Sequence, residues 1–456
     1  MVEQRTADRQ RLRRPPMLRG LPLVGNLPDF IRTQDAMFHR GYAAHGPIFG
    51  VRIGPQRGVV LVGPQYSELF YREVDHKLSV PELYKFVIPM FGEVIMSARD
   101  ERTRRNHVRL LQSAFQGRRL TRYTEDMWAE TARWVDSLGD EGEFDVWDEL
   151  EPLSMRIAAT ALMGPEVRAR IDEFRPLLED LARGMEFVLP PNLPLPKFRR
   201  RDRARRLLTE MIRPVLEQRR RHPGEHNDFL QTLVDDPTLT GADGDDEKLV
   251  GMALGTIFTG YITTAAQASW ALVKLVEQQR YAETVVAEID QARGPDGLSG
   301  HARLPRLDWA IKEAVRLRPV MSHYARLNTV DYEVDGYLLP KGWLTIICPS
   351  VAHRLPEVFT DPDAYDPERF APGRAEDRRH PYSLIGFSGG FYRCPGSAFG
   401  NNELRVILSA LLERFSLRLV TPSPGTDFDL GIIKPASPCT IRYARRREAS
   451  QPGLTS

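Results

Sequence analysis

Of the three cysteines, Cys348, Cys394 and Cys439, one stands where a sulfur could do chemistry. Cys394 lies in the stretch GFSGGFYRCPGSAFG, residues 386–400. A glycine-rich turn precedes it, and Pro395 is suited to a first helical position. The pattern predicts a helix over about 397–415 with the sulfur at its N-terminal end. Unpaired N–H groups and the helix dipole favour a thiolate there. Gly389 and Gly390 would let the backbone approach a flat partner closely, and Phe387 would pack against the sulfur and keep it dry. Such a thiolate has the chemistry of an axial ligand to haem iron. The competing reading is an inert cysteine at a helix start, the usual fate of a lone Cys; Cys348 and Cys439 read as core filler. The same loop matches a GxSxG nucleophile elbow through Ser388, but no histidine follows His380, so a hydrolase triad in that order cannot be built.

The segment resembles the haem-binding loop of cytochrome P-450 monooxygenases: Phe, two residues, Gly, one residue, Arg or His, one residue, Cys, one residue, Gly. Phe387, Gly390, Cys394 and Gly396 fall on those positions. Tyr392 stands at the Arg/His position, with Arg393 one residue later, so one haem-propionate contact departs from the pattern. The resemblance implies haem b as cofactor, its iron (the one metal expected) held by the Cys394 thiolate. It implies a mainly α fold with minor β, the cytochrome P-450 fold, built as one large helical domain with small β-sheets.

Further motifs follow in the family's order. Glu313 and Arg316 face each other at i, i+3 on a helix, and PERF follows at 367–370. In the resembled family the arginine of that coil locks the pair. This implies a structural trio of Glu313, Arg316 and Arg369 behind the proximal haem face. Thr259 to Thr264 resembles the oxygen-activation segment. It implies that Gly260 widens the helix for dioxygen and that Thr263, with Thr264 beside it, hydrogen-bonds bound oxygen or a water. The ordinary alternative is threonines that bond back to the preceding turn. The acid position holds Ile262, which cannot relay protons, so waters, substrate hydroxyls or Thr263 and Thr264 would have to carry them. Arg326, seven residues after Pro319, falls where the family often places an arginine on a haem propionate. Arg104 and Val108 occupy the positions of a Trp and an Arg or His, and Arg104, Arg105 or Arg109 is expected to substitute there. Tyr84 matches a propionate-reaching tyrosine of the sterol 14-alpha-demethylase branch. The basic segment at 198–205 and Arg393 before the cysteine resemble that branch too, which has His where this chain has Ile262.

The elements that must hold these residues can be read more coarsely. Residues 1–30 form an arm with a Pro-rich lead-in, and 31–456 a single catalytic domain. Strand-like runs lie at 48–72 and helices from about 100 to 320, with loops near 190–196 and 241–246. Short strands follow Pro319, and a Pro- and Arg-rich coil spans 355–381. Residues 249–273 carry no charge over 25 positions. Their Thr, Gln, Ser and Gly interruptions would sit poorly in lipid, so the run reads as a buried helix.

Composition bounds the function. The 456 residues carry 63 Lys+Arg against 61 Asp+Glu, a net charge of +2, which points to no nucleic-acid partner. Few, odd and scattered cysteines fit a reducing compartment, and cytoplasmic location is expected. The polar, basic N-terminus has the apolar core of neither a signal peptide nor a membrane anchor. With no second cofactor motif, electrons are expected from a separate ferredoxin and its reductase, steered by Arg393, Arg405 and the helix at 104–109. The implied activity is haem-dependent monooxygenation of a bulky hydrophobic molecule (terpenoid, sterol-like or polyketide), as in secondary metabolism. Its pocket is expected at 80–95, 180–196 and 255–262, with Phe86, Met90, Phe91, Phe187, Phe258 and Tyr261. Two other classes compete: an electron-independent peroxygenase or isomerase, suggested by Ile262, and a non-catalytic haem-binding protein.

Overall fold

A computed structural model describes residues 12–446 apart from 187–188, 192, 240–245, 295–296, 300–301 and 430. Phe187 and most of the loop expected near 241–246 lie outside the described residues.

The first strands are β1 (Ile48–Ile53) and β2 (Gln56–Leu61), a hairpin with Ile53 opposite Gln56. Gly54 supplies the positive φ that so tight a connection requires. Next come α1 (Pro64–Arg72) and the short β3 (Leu78–Ser79). Later strands β5 (Tyr324–Asn328) and β6 (Leu344–Ile347) complete a five-stranded sheet, ordered β1-β2-β6-β5-β3. Only β2 and β6 pair in parallel, Gly58 opposite Leu344. The described part of the arm is stitched down at two places: Met17 bridges Gly50 of β1, and Arg13 bridges Tyr337 in a separate two-stranded hairpin of Tyr332–Val334 and Tyr337–Leu339.

The helical part begins with α2 (Glu101–Ala114), capped by Asp100 accepting from the Thr103 N–H, and α3 (Gly117–Ser137). Strand β4 (Glu141–Asp145) leads to α4 (Val146–Ala158), where Asp145 caps two N–H groups. Then come α5 (Ile171–Arg183) and α6 (Pro196–Arg221). The uncharged run becomes α7, 31 residues from Glu247 to Glu277. Among the described helices it is the one long and apolar enough to cross a membrane, yet 78% of that apolar window is buried inside the protein. It packs against α4, against α8 (Pro305–Leu317) and against α9 (Ser397–Arg414). Gly251 makes one such approach possible: a Cβ there would stand 1.9 Å from the Phe91 carbonyl oxygen. The last helix ends one residue earlier than expected because Phe415 is already extended and opens β7 (Phe415–Leu419). That strand pairs with β8 (Thr440–Arg445), which also pairs with β4.

Candidate active site

The cysteine loop is folded by its own backbone. Ser388 and Gly390 both take φ of 60°, and the Cys394 N–H donates to the Phe387 carbonyl at 2.9 Å, closing the turn. Gly389 and Gly390 also have a packing role that the sequence did not reveal. They make room for Tyr71 on α1: a Cβ at Gly389 would lie 2.7 Å from its ring and one at Gly390 2.9 Å from its Cβ. Tyr71 stacks on Tyr382 with centroids 5.4 Å apart. Gly386 presses on α8, where an added Cβ would meet Val315 at 2.4 Å.

Pro395 is not the first helical residue, because α9 starts at Ser397 with Gly396 as its cap. Cys394 therefore stands short of the helix. Burial pushes its thiol up, with the Gly396 N–H and Arg393 pulling the other way and not prevailing. A bound cation deprotonates a coordinating thiol outright, and among the described residues no cluster of His, Cys, Asp or Glu competes as a metal site.

Beside the loop lies a buried charge with no answer in the protein. Arg326 on β5 is 1% exposed. Its Nη1 donates to the Ala325 carbonyl at 2.7 Å, its Nε has no partner, and no carboxylate among the described residues pairs with it. The guanidinium lies over the rings of Phe70, Tyr84 and Tyr392, 5.0, 5.9 and 5.6 Å from their centroids. A buried unpaired charge costs several kcal/mol, which an anionic ligand would offset. This fits the propionates of a haem. Two residues earlier on the strand, the Tyr324 hydroxyl donates to the Gly386 carbonyl at 3.0 Å, tying β5 to the cysteine loop.

Arg104 is placed otherwise than expected. Its Nη2 pairs with Asp75 at 2.7 Å, its Nε donates to the Tyr392 hydroxyl at 2.9 Å, and its Nη1 reaches the Ala98 and Arg99 carbonyls. Its charge is thus neutralised inside the protein, and it carries Tyr392 rather than offering a free fork. Arg105 pairs with Glu101 and Arg109 is exposed. Tyr84 stands half-buried at the head of a short 3-10 turn, over Arg326.

On α7, Thr263 donates to the Thr259 carbonyl at 2.7 Å. This is the back-bonded geometry, so toward open space its oxygen is an acceptor. Thr259 is exposed and Gly260 and Thr263 partly so, while Tyr261 and Ile262 are buried, so this face of an otherwise buried helix is left open. A Cβ at Gly260 would meet only Leu162, at 3.5 Å, so packing does not demand a glycine there. Thr264 faces α9, its hydroxyl 3.7 Å from where Gly400 would carry a Cβ. Of the aromatic segment, Phe86 is half-buried, whereas Met90, Phe91, Phe258 and Tyr261 are core.

Glu313, Arg316 and Arg369 are brought together fully buried. Arg316 binds Glu313 through two bonds of 2.7 Å, and the Arg369 Nε donates to the same carboxylate at 3.0 Å. Sequence reasoning missed a fourth member, Glu376, which accepts from Arg369 at 2.9 Å. Against the opposing pull of burial, hydrogen bonds from Arg374, Thr360 and Arg369 hold its carboxyl at about 2. It missed His353 as well. Burial lowers this imidazole to about 3, so it is neutral. Its Nε2 accepts from the Ile385 N–H at 2.9 Å, so Nδ1 carries the proton toward the Arg316 carbonyl. The salt-bridge network thereby ends on the residue that opens the cysteine loop. Nothing in the spacing of Glu376 or His353 marks them.

A groove of about 720 Å³ runs along the loop's outer side, lined by Lys312, Arg393 and Arg405 among others. Lys312 is paired with Asp377 and Arg405 with Asp308, so the steering charge expected of Arg405 is largely cancelled. Arg393 is exposed.

Fold, cysteine loop and unanswered guanidinium together define a haem-thiolate protein. The family model for cytochrome P450 matches residues 15–442, and the chain belongs to that family. Among its relatives is a sterol 14-demethylase of Arabidopsis thaliana, 34% identical, covering 97% of this chain and 93% of that one. An obtusifoliol 14-alpha demethylase of Sorghum bicolor is 32% identical over 95% and 91% of the two chains. A sterol 14alpha-demethylase of Mycobacterium tuberculosis (strain ATCC 25618 / H37Rv) is 29% identical over 92% and 96%. The fold is shared with retinoic acid bound cyanobacterial CYP120A1, at TM-score 0.86 and 23% identity, over 95% of this chain and 100% of that one. Members of the family bind haem iron through a cysteine thiolate, and this chain is an oxidoreductase of that monooxygenase class.

Proposed function

We propose that the protein hydroxylates a bulky, apolar, multi-ring substrate of the sterol or terpenoid kind, taking electrons from a separate ferredoxin-type donor. The observation that carries the haem assignment is Arg326, a buried guanidinium without a counter-charge beside the only cysteine set in a glycine turn. Cys394 would hold the iron, with Phe387, Gly390 and Gly396 shaping its loop. Arg326 and Tyr84 would receive a propionate. Arg104 and Tyr392 would position that contact, and Glu313, Arg316 and Arg369 would brace the loop from behind. When bound, haem supplies dioxygen activation at a thiolate-ligated iron. The chain's own part is to exclude water with its apolar walls, to present the Thr263 oxygen as an acceptor on the open face of α7, and to widen that face at Gly260. The sterol-like substrate class rests on the sterol demethylase relatives. Ile262 departs from the histidine of that branch, so the class is proposed more broadly than sterol 14-demethylation.

The reduced carbon monoxide difference spectrum is the first test. Wild type is expected to show the thiolate-ligated band and Cys394→Ser to lose it; an unaltered spectrum in the variant overturns the ligand assignment. Titration with sterols and cyclic terpenoids is then expected to shift the iron spin state, followed by oxygenated product with ferredoxin, its reductase and dioxygen. Turnover by peroxide alone, without response to the reducing chain, would favour the peroxygenase reading that Ile262 motivates.

A further inference from the structure

A second cavity, of about 650 Å³, shares no lining residue with the groove beside the cysteine loop. One wall is α3, where Tyr123, Asp126 and Glu130 follow one another along one face at spacings of three and four. Opposite stand the π-type turn Ala159–Met163 that continues α4, the turn at 164–169 and the segment 225–228 after α6. Turns of the π type frequently mark functional sites. Four carboxylates and three arginines line the cavity, and most of that charge is answered in place. Glu130 accepts from Arg168 at 2.7 Å and pairs with Arg133 at 2.9 Å. Asp228 is held by Arg219 of α6 at 2.8 Å, and Glu225 pairs with His222. Asp126 is answered poorly. Arg122 stands 3.5 Å away through its Nε, longer than a good charge-assisted bond, and is itself 63% exposed where the carboxylate is 20% exposed. Burial raises the Asp126 carboxyl in spite of that arginine. Next to it on the helix face is a hydroxyl with no partner. Tyr123 is 0% exposed, its ring packed on Phe115 and Phe399 with centroids 6.2 and 5.8 Å away, and its Oη makes no hydrogen bond. Burial raises its ionisation; Arg119 opposes, and Asp228 and Asp126 reinforce burial. Both of those carboxylates line the cavity, so the orphan hydroxyl lies on its acidic side. An unpaired buried hydroxyl is costly unless something binds it.

We propose that this cavity binds a small organic cation, a protonated amine on an apolar body, with Asp126 as its counter-ion and the Tyr123 hydroxyl oxygen accepting its N–H. Ala161, Pro165 and Ala169 line the cavity beside them and would take the apolar part. The charge balance selects the ligand's sign. Arg133 and Arg168 are already engaged by Glu130, so an anion would find no free cation there and would face Asp126. A neutral alcohol would satisfy Tyr123 and leave Asp126 as it is. A cation answers both. The site is separate from the cysteine loop and stands whether or not the haem reading does.

Calorimetric titration of the haem-loaded protein with N,N-dimethylbenzylammonium tests the site. Its nitrogen is protonated at neutral pH and so has no lone pair to offer iron. One-to-one binding is expected with no change in the haem spectrum, and benzoate, of similar size and opposite charge, is expected not to bind. Asp126→Asn is expected to weaken amine binding about tenfold or more, as for loss of a charge-assisted hydrogen bond. Tyr123→Phe removes only the orphan hydroxyl. It is expected to weaken binding about two- to tenfold while the thermal midpoint of the amine-free protein stays level or rises. A midpoint lowered by Tyr123→Phe would show that the protein itself answers the hydroxyl, and would overturn the site. So would equal affinity in wild type and both variants, benzoate binding as tightly as the amine, or no binding at all. Amine binding that shifts the iron spin state and ignores both substitutions would place the probe in the haem pocket, which also overturns the assignment.

Discussion

At the scale of residues, two buried arginines with opposite surroundings carry opposite expectations. Arg369 is answered by Glu313 and Glu376. Arg369→Leu strips a partner from two buried carboxylates, and removing one member of a buried pair typically costs about 3–5 kcal/mol. The expected outcome is a large loss of thermal stability and of folded protein, measured by calorimetry with and without haem. Arg326 has no such partner. Arg326→Leu replaces an uncompensated charge inside an aromatic cage by an apolar group. The haem-free protein is expected to be as stable as wild type or more so, while haem affinity falls by about 2 kcal/mol or more, the cost of truncating a buried charged contact. Haem transfer to an acceptor globin measures the second effect. An equal loss of stability in both variants would show that Arg326 is answered by the protein and not by a ligand.

At the scale of elements, two glycines on α7 separate packing from function. Both lie in a helix, where glycine costs about 0.5–1 kcal/mol relative to alanine. Gly251→Ala drives a Cβ to 1.9 Å from the Phe91 carbonyl, so it is expected to destabilise by about 1–3 kcal/mol through overpacking. Gly260→Ala meets only Leu162 at ordinary contact distance. It is expected to raise stability by about 0.5–1 kcal/mol while weakening substrate-induced spin shifts, since its methyl lies beside the open face. Denaturant titrations and substrate titrations of the two variants check the pair. The sequence could say that this helix was long, uncharged and buried, because a 25-residue uncharged run broken by threonines and glycines has few other homes. It could not say which glycine served packing, because Phe91 reaches Gly251 from a segment 160 residues earlier. The cysteine loop was legible by the same token as far as its spacing went. The packing role of its glycines was not, since Tyr71 meets Gly389 and Gly390 from a segment more than 300 residues earlier. Glu376, His353 and Glu403 stayed hidden because a lone polar residue carries no period. Only burial beside a partner, or beside none, gives it meaning.

At the scale of the whole molecule, these buried groups set the pH range in which the fold holds. Burial lowers His323 to about 4 and His353 to about 3, and lowers His39 and His107 as well. Each binds its proton more readily once unfolded, at the ordinary value of 6.5. The unfolded chain therefore takes up more protons than the native one as pH falls below 6.5, and stability declines with a slope of up to about 1.4 kcal/mol per pH unit for each histidine. Raised carboxyls at Asp35, Asp126 and Glu151 oppose this nearer their own range. Glu403 acts in the other direction. Its native carboxyl keeps a proton up to about 8, while the unfolded one sheds it at 4.5. The native state then holds the extra proton, and stability falls as pH rises between those values. Below about pH 7 the four histidines, still partly protonated in the unfolded chain, outweigh it; above about pH 7.5 they are close to neutral in both states, and Glu403 dominates among these groups. The thermal midpoint of the haem-loaded protein is expected to peak near about pH 7, dropping steeply toward pH 5 and gently toward pH 8. Glu403→Gln removes the alkaline slope and leaves the acid limb, because glutamine neither gains nor loses a proton. A midpoint that still declines between about pH 7 and 8 in that variant, with the slope of wild type, would show that Glu403 is already ionised in the fold.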